Sequence, residues 1–238
     1  MTGDLWQPRS ACGPACLPSC VDTAVPVPVR VLRLLRLAAV VLGAALTLPA
    51  LALAARPVRR RALARFARAA LRALGVRVTV RGTVRARRAL LVANHVSWMD
   101  TLVMLAAAAA PADLCLVAKA EVRHWPVVGR FAALVGTVFV DRTRPRVLPR
   151  TVGAVREALA AGDRVAVFPE GTTSCGRATG PFRPAMFQAA IDAGAAVVPV
   201  RLRYRLPDGS ATTAAAFIGD ETLLDSLRRI LPLPGLRV

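Results

Sequence analysis

The chain has 238 residues, which suits one domain of moderate size with a real hydrophobic core and a short appendage. Its 33 basic residues outnumber its 14 acidic residues, and the net charge of +19 attracts polyanions such as nucleic acid, anionic lipid or acidic substrates. Nucleic acid is disfavoured because no motif combines aromatic and basic residues for stacking on bases. An anionic lipid surface is therefore the expected partner.

The first 29 residues predict a disordered leader, because they are rich in Pro, Cys, Ser and Gly and carry no hydrophobic periodicity. Three of the chain's five cysteines lie in this leader, at Cys12, Cys16 and Cys20. The three-residue gaps between them contain prolines and match no standard zinc spacing. The sequence therefore predicts no metal site, and the two histidines of the chain lie too far apart to change that.

A stretch of 19 uncharged residues, Leu37 to Ala55, lies shortly after the leader. A helix needs roughly 20 residues to span a bilayer, so this stretch is just long enough. A helix lying in the bilayer interface and a cleavable signal peptide are the alternatives. Seven arginines between Arg56 and Arg72 resist translocation. The positive-inside rule therefore favours attachment to the cell membrane with the C-terminal domain on the cytoplasmic side.

Residues 57–75 predict a basic amphipathic helix, with apolar residues at helical spacing from Leu63 to Leu74 and arginines on the other face. Gly75 is suited to end this helix. The apolar face either lies on an anionic bilayer or packs against the following domain, and the sequence leaves both open. The predicted units are a leader (1–29), two membrane-anchoring helices (30–75) and a C-terminal domain (76–238).

From residue 76 onward, short apolar runs alternate with longer helical patterns. This order predicts an α/β fold with a mixed, largely parallel sheet flanked by helices, whose functional loops lie at the carboxyl ends of the strands. The predicted strands are Val76–Val80, Ala89–Ala93, Leu114–Ala118, Thr137–Val140, Arg164–Phe168 and Val197–Tyr204. The predicted helices are Trp98–Ala109, Glu121–Leu134, Leu148–Ala160, Ala185–Ala193 and Thr222–Ile230.

The stretch VANHVSWMD places a histidine directly after a predicted buried strand and an aspartate five positions later. His95 is a natural general base near neutral pH, and a carboxylate at Asp100 would fix its tautomer and stabilise the imidazolium. The same stretch fits a helix capping box from Ser97 to Asp100, in which Asp100 only caps the helix. On this stretch alone, both interpretations are open.

Four later blocks change that balance: KAEVRHWPVVG from Lys119, GTVFVDR from Gly136, VFPEGTTS from Val167 and VVPVRLRY from Val197. With NHVSWMD, in this order and spacing, they resemble the glycerophospholipid acyltransferase family, and within it the bacterial 1-acyl-glycerol-3-phosphate acyltransferases. The resemblance implies direct acyl transfer from acyl-CoA or acyl carrier protein to the free hydroxyl of a lysophospholipid. It implies no bound cofactor and no metal.

The resemblance also assigns roles to individual residues. His95 would remove the hydroxyl proton, and Asp100 would orient His95. The family's Gly-x-x-Phe-x-x-Arg block falls on Gly136, Phe139 and Arg142. Arg142 would contact the phosphate of the acceptor, because a planar guanidinium suits phosphate oxygens.

The FPEGTTS block is implied to form part of the acceptor site, through Glu170, Gly171, Thr172 and Thr173. Glu170 would hold the loop, and the backbone N–H of Gly171 would face the acceptor or the developing oxyanion. Phosphatidate-forming members often carry an arginine at the position of Thr173. That departure leaves a second acceptor open, lyso-ornithine lipid or another hydroxylated lipid without a phosphate.

If the acceptor does carry a phosphate, then Arg142, Lys119 or Arg177 would replace the missing arginine. Lys119 is the only lysine of the chain, which suggests a need for an ammonium group.

The other histidine, His124, is expected at the surface. The resemblance implies a further strand and helix after the final GLRV, so a truncated C-terminus is expected. The non-enzymatic alternative is a basic membrane-binding protein, in which His95 would be dispensable.

Overall fold

The computed structural model describes residues 8, 10–18, 24–108 and 113–238. Two helices come first, and strands alternate with helices after them. The helices are α1 (Val27–Leu53), α2 (Arg56–Ala73), α3 (Met99–Ala107), α4 (Val128–Leu134), α5 (Leu148–Ala160), α6 (Ala185–Asp192) and α7 (Leu223–Ile230). The strands are β1 (Val76–Arg77), β2 (Ala89–Ala93), β3 (Leu114–Lys119), β4 (Val138–Val140), β5 (Arg164–Val167), β6 (Ala196–Val200) and β7 (Leu236–Arg237).

Within the described residues, five strands form one parallel sheet in the order β4-β3-β5-β2-β6. Strand β2 lies between β5 and β6, so Leu91 pairs with Ala166 on one side and with Val198 on the other. A second, two-stranded sheet joins β1 to β7. The predicted α/β fold with a largely parallel sheet is confirmed.

Strand β2 reads as a continuous apolar run because both of its faces are buried. Alternate side chains point to opposite faces. Leu90 and Val92 pack with residues of α5 and α6, whereas Leu91 packs with residues of α2 and α3. The chain therefore has one apolar core on each side of the sheet.

Buried arginines attach the two N-terminal helices to the α/β domain. Arg60 of α2 is 2% exposed and donates to both carboxylate oxygens of Asp163, at 2.5 and 2.9 Å. Arg33 of α1 donates to the carbonyls of Leu231 and Leu233 after α7. The apolar face of α2 packs against the domain, which is one of the two outcomes that the sequence left open.

Helix α1 begins at Val27, ten residues before the uncharged stretch and inside the predicted leader. It is long and apolar enough to cross a membrane, by length and composition alone. Residues 10–18 of the leader contain a short 3-10 helix, Pro14–Cys16, and Cys12, Cys16 and Leu17 pack against the larger core. The predicted disorder at residues 1–7, 9 and 19–23 lies outside the described residues.

Three predicted elements have different bounds in the structure. The predicted helix from Glu121 to Leu134 divides into a 3-10 helix, Ala120–His124, and α4, because Pro126 disfavours helical backbone at its neighbour. The last predicted strand ends at Val200, where the chain leaves the sheet and bonds to Asn94 through Leu202. The first predicted strand shortens to Val76–Arg77.

Candidate active site

The candidate site lies at the carboxyl edge of the sheet, where loops of adjacent parallel strands meet. His95 follows β2, and Glu170 follows the neighbouring β5. Tyr204 comes from the segment after β6, on the other side of β2. The strand order therefore brings three loops together around one histidine.

His95 and Asp100 form a direct pair. The Nδ1 atom of His95 lies 2.8 Å from Oδ2 of Asp100. The aspartate is fully buried, whereas the histidine side chain keeps 18% of its surface exposed. Because Nδ1 faces a carboxylate, it carries the hydrogen, and Nε2 is left as the proton acceptor of the neutral ring.

Asp100 is held by hydrogen bonds from several directions. Its Oδ2 atom also accepts the backbone N–H groups of Val96 at 2.6 Å and Ser97 at 2.9 Å. Its Oδ1 atom accepts the hydroxyl of Tyr204 at 2.6 Å. Burial, together with the charge and hydrogen bond of Asp100, raises the pKa of Tyr204 well above its usual value, so the phenol stays protonated and donates.

The capping interpretation and the catalytic interpretation both hold in part. Asp100 accepts the N–H of Ser97, as the acidic member of a capping box does. The second bond of a capping box would join the Ser97 hydroxyl to the N–H of Asp100. Here the Ser97 hydroxyl accepts the N–H of Met99 instead. The same carboxylate that orders the start of α3 therefore also orients His95.

The ring and backbone of His95 are fixed by the loop after β5. The imidazole stacks on Phe168, with ring centroids 4.1 Å apart and planes 15° apart. The His95 N–H donates to Oε1 of buried Glu170 at 2.8 Å, and its carbonyl accepts the Ser174 N–H at 2.8 Å. Glu170 also accepts the N–H of Gly180 at 2.9 Å. Glu170 thus ties the acceptor loop to the base.

Two cationic side chains lie at the same edge of the sheet, Lys119 at the end of β3 and Arg142 after β4. Arg142 is half-buried and donates to the carbonyl of Gly171. Desolvation by burial lowers the pKa of Arg142, and desolvation together with repulsion from Arg142 lowers that of Lys119. Repulsion from Arg183 acts in the same direction on Arg142, while Glu121 opposes it. A cationic group under such repulsion is stabilised by an anionic ligand.

Comparison with known proteins identifies the family to which this chain belongs. A family model described as Acyltransferase matches residues 75–203, more than half of the chain. The chain belongs to the acyltransferase family. It is an enzyme of that class, as the resemblance of its ordered sequence blocks implied.

Two relatives of this acyltransferase differ in the acceptor that they are named for. The 1-acyl-sn-glycerol-3-phosphate acyltransferase of Neisseria gonorrhoeae is 38% identical over 182 residues, 76% of this chain and 69% of that protein. The lyso-ornithine lipid O-acyltransferase of Pseudomonas aeruginosa is 40% identical over 161 residues, 67% of this chain and 59% of that protein.

The same fold occurs in a solved structure. The 1-acyl-sn-glycerophosphate (LPA) acyltransferase, PlsC, from Thermotoga maritima is 24% identical. It superposes with a TM-score of 0.55 over 71% of this chain and 72% of that one. This likeness supports the fold assignment of the acyltransferase.

The predicted residues of the FPEGTTS block lie around His95, but two have hydrogen bonds that restrict their roles. The N–H of Gly171 donates to the Phe168 carbonyl at 3.0 Å inside a turn, so the predicted role of this N–H toward the acceptor or oxyanion is not supported. Gly171 adopts φ 72°, which explains the glycine. Thr173 donates its hydroxyl to the carbonyl of Phe217, and Thr172 is half-buried.

Two predicted substrate-binding residues lie away from the pair. Gly136 precedes β4 at the amino edge of the sheet, and a Cβ there would meet the Arg56 guanidinium at 3.2 Å. Phe139 lies in the middle of β4, with Arg123 over its ring at 5.8 Å. Gly136 therefore has a structural role at the junction with α2. Only Arg142 of this block reaches the carboxyl edge.

Sequence reasoning missed three contributors to this site. Tyr204 is the only tyrosine of the chain, and this was the one feature of the sequence that could have drawn attention to it. Asn94 clamps the segment after β6 through two bonds to the Leu202 backbone, at 3.1 and 2.8 Å. Arg183 adds charge near Arg142. The second histidine, His124, is exposed, as expected.

Proposed function

We propose that this acyltransferase moves a fatty acyl group from an acyl thioester to the free hydroxyl of 1-acyl-glycerol-3-phosphate, giving phosphatidic acid. The observation that carries the proposal is the His95–Asp100 pair. Nδ1 of His95 bonds to a buried carboxylate, which leaves Nε2 as the proton acceptor. The family resemblance supports the reaction class.

The proposed mechanism is a direct transfer without an acyl-enzyme. Nε2 of His95 takes the hydroxyl proton while the hydroxyl oxygen attacks the thioester carbonyl. The tetrahedral intermediate then collapses, the C–S bond breaks, and the thiolate takes the proton from the imidazolium. Asp100 stabilises that imidazolium, and three hydrogen-bond donors hold its carboxylate in place.

Proximity supplies much of the rate. The stacking on Phe168 and the bond to Glu170 hold the base before the substrates arrive. Two substrates held in reacting geometry gain an effective concentration that no free base provides. We propose acyl-CoA or acyl carrier protein as the donor, and the mechanism needs neither a metal nor a bound cofactor.

The cationic group favours an acceptor that carries a phosphate. Arg142 and Lys119 repel one another at the carboxyl edge, and a phosphate between them would relieve that repulsion. The first relative named above is a 1-acyl-sn-glycerol-3-phosphate acyltransferase, which agrees with this choice.

A second acceptor, lyso-ornithine lipid, is favoured by one specific observation. The hydroxyl of Thr173, where phosphatidate-forming members often have an arginine, is directed to the Phe217 carbonyl and contributes no charge. The second relative named above is a lyso-ornithine lipid O-acyltransferase. The two acceptors differ in the phosphate, so a direct comparison of both substrates separates them.

We further propose that α1 lies in the bilayer interface, with the site on the cytoplasmic side. Arg33 docks α1 on the segment after α7, while one side of α1 exposes large apolar residues such as Leu35, Leu42 and Leu46. A helix docked beside the domain that leaves most of its apolar surface exposed needs a membrane environment, and the docking favours a position along the interface. The exposed arginines of α2 suit anionic headgroups.

The test is acyl transfer in membranes that contain the full chain, with labelled acyl-CoA or acyl carrier protein as donor. Lysophosphatidic acid and lyso-ornithine lipid are compared as acceptors. His95→Ala removes the base, and His124→Ala, at the exposed second histidine, is the matched control. We expect transfer to lysophosphatidic acid in the control and none in His95→Ala. Transfer only to lyso-ornithine lipid would replace the acceptor, and transfer that survives in His95→Ala would refute the mechanism.

A further inference from the structure

Three cysteine thiols that are distant in sequence meet beside the active-site loop. The Sγ atoms of Cys12, Cys16 and Cys175 all lie within 4.8 Å of one another. Cys175 is buried and follows Ser174, which bonds to the carbonyl of His95. Within the described residues, no other group of three His, Cys, Asp or Glu side chains converges closely enough to share a metal ion.

The backbone builds this arrangement. The 3-10 helix Pro14–Cys16 is closed by a bond from the Cys16 N–H to the Gly13 carbonyl at 2.9 Å, and it turns Cys12 and Cys16 toward the same side. The segment is fixed to the loop by the Cys175 N–H, which donates to the Cys12 sulfur at 3.2 Å. The two elements are therefore joined at the thiols themselves.

The spacing of the sulfurs fits a tetrahedral zinc site. Zn–S bonds of about 2.3 Å hold neighbouring sulfurs about 3.8 Å apart. Closing each pair by about 1 Å or less, through side-chain rotation, reaches that geometry from the observed separations. Three thiolates leave the fourth position for a water molecule or another small ligand.

Two backbone N–H groups face sulfurs of the cluster, while burial raises the pKa of the Cys175 thiol. The N–H of Cys175 points at the Cys12 sulfur, and the N–H of Arg177 points at the Cys175 sulfur. Backbone N–H···S bonds of this kind stabilise the charged ligand form and orient it, as outer-shell groups do in metal sites. Soft thiolate sets select Zn²⁺ and Cu⁺ over Mg²⁺ or Ca²⁺.

We propose that Cys12, Cys16 and Cys175 form a zinc site that fastens the N-terminal segment to the loop carrying Glu170. The segment already reaches the acceptor loop, because a Cβ on Gly171 would lie 2.7 Å from the Pro8 ring. A metal at this junction orders both walls of the acceptor site. The spacing within CGPACLPSC indicated no zinc site because the third ligand comes from 163 residues beyond Cys12.

The test measures metal content of the full chain, purified in detergent with a reductant, stripped with a chelator and then given Zn²⁺ alone. We expect about one tightly held zinc per chain, the capacity of a single tetrahedral site. A variant with Cys20→Ser and Cys115→Ala keeps only the three site cysteines, and it is expected to retain that zinc. Cys12→Ser with Cys16→Ser, and separately Cys175→Ser, are expected to lose it.

Co²⁺ replacing zinc gives a second readout on the unmodified chain, since thiolate-to-cobalt charge transfer requires sulfur ligands. Far-UV circular dichroism verifies the fold of each variant. Zinc that is absent from the wild-type chain, or retained in the Cys175→Ser variant, would overturn the proposal. So would a disulfide among the three thiols, seen as a loss of two hydrogens in the intact mass of the reductant-treated protein. None of these readouts depends on acyl transfer.

Discussion

The two sides of the sheet's carboxyl edge are built in opposite ways. On the β2, β5 and β6 side, His95, Asp100 and Glu170 are packed together and bonded to backbone N–H groups. On the β3 and β4 side, Lys119 and Arg142 carry charges that repel one another and have no salt-bridge partner within the described part of the chain. The first side is fully hydrogen-bonded before substrate arrives, whereas the second side has two cations facing the single carboxylate of Glu121 and can accept an anion.

This difference indicates a division of labour. A buried and fully bonded carboxylate keeps its geometry and charge, which is what a general base requires of its partner. A pair of cations with an excess of positive charge holds an anionic ligand but does not itself move protons. Changes on the first side should lower kcat and stability, whereas changes on the second side should raise KM for a charged acceptor.

The largest effect is expected from Asp100→Asn. The amide would direct hydrogens at groups that now donate to the carboxylate, and it would favour the wrong tautomer of His95. We expect a loss of about 10⁴-fold in kcat, by the magnitude seen for other Asp–His pairs. The free energy of unfolding should fall by about 3 kcal/mol, because a buried network is broken. Denaturant melts and transfer rates measure both.

Asp208→Asn is the matched control for that variant, because Asp208 lies exposed in a turn where asparagine replaces it well. Its rate and stability should stay close to those of the unmodified chain. An Asp100→Asn variant that transfers acyl groups at the normal rate would remove the distinction between the two sides.

Arg142→Gln tests the cationic side. We expect KM for lysophosphatidic acid to rise roughly 30-fold, the usual worth of a hydrogen bond between charged groups, with little change in kcat. For lyso-ornithine lipid, which has no phosphate, KM should hardly change. Arg144→Gln is the control, since Arg144 is exposed and paired with Asp141. A loss confined to kcat would indicate that Arg142 acts in the chemical step and not in acceptor binding.

Tyr204→Phe tests how much a single hydrogen bond to Asp100 contributes on the histidine side of the site, because it removes only the bond from the phenol. The remaining N–H donors still hold the carboxylate, so we expect a loss of about 1 kcal/mol in stability and no more than about 10-fold in kcat. Combining Tyr204→Phe with Asp100→Asn in a double-mutant cycle should give less than the sum of both effects. Additive losses would indicate that the tyrosine acts elsewhere.

The smallest effect concerns pH. Because the pKa of Lys119 is lowered, its ammonium loses the proton at a lower pH than an ordinary lysine does. Affinity for a phosphate acceptor should therefore weaken with rising pH, and this loss should begin at a lower pH than it would for an ordinary lysine. Lys119→Arg keeps the charge, so its KM should stay level over the same range. An identical pH profile in both proteins would exclude Lys119 from acceptor binding.

The histidine–aspartate pair was accessible from the sequence because it is a local contact. His95 follows a buried strand, and Asp100 lies in the first turn of the next helix, so the turn alone brings them together. The acceptor block was found by resemblance, yet the role of the Gly171 N–H was misjudged. A turn bond to Phe168 uses that group, and turn bonds depend on backbone angles that residue types only bias.

What the sequence alone determined is the set of local patterns: buried strands, the helices between them, the paired histidine and aspartate, and the apolar and basic N-terminal helices. These patterns depend only on residues that are close together in the sequence. The tertiary structure decided which loops adjoin. The order β4-β3-β5-β2-β6 sets β5 and β6 on either side of β2, which delivers Glu170 and Tyr204 to one site. The same long-range packing brings Cys175 to Cys12, because only the burial of two apolar cores selects one strand order from many.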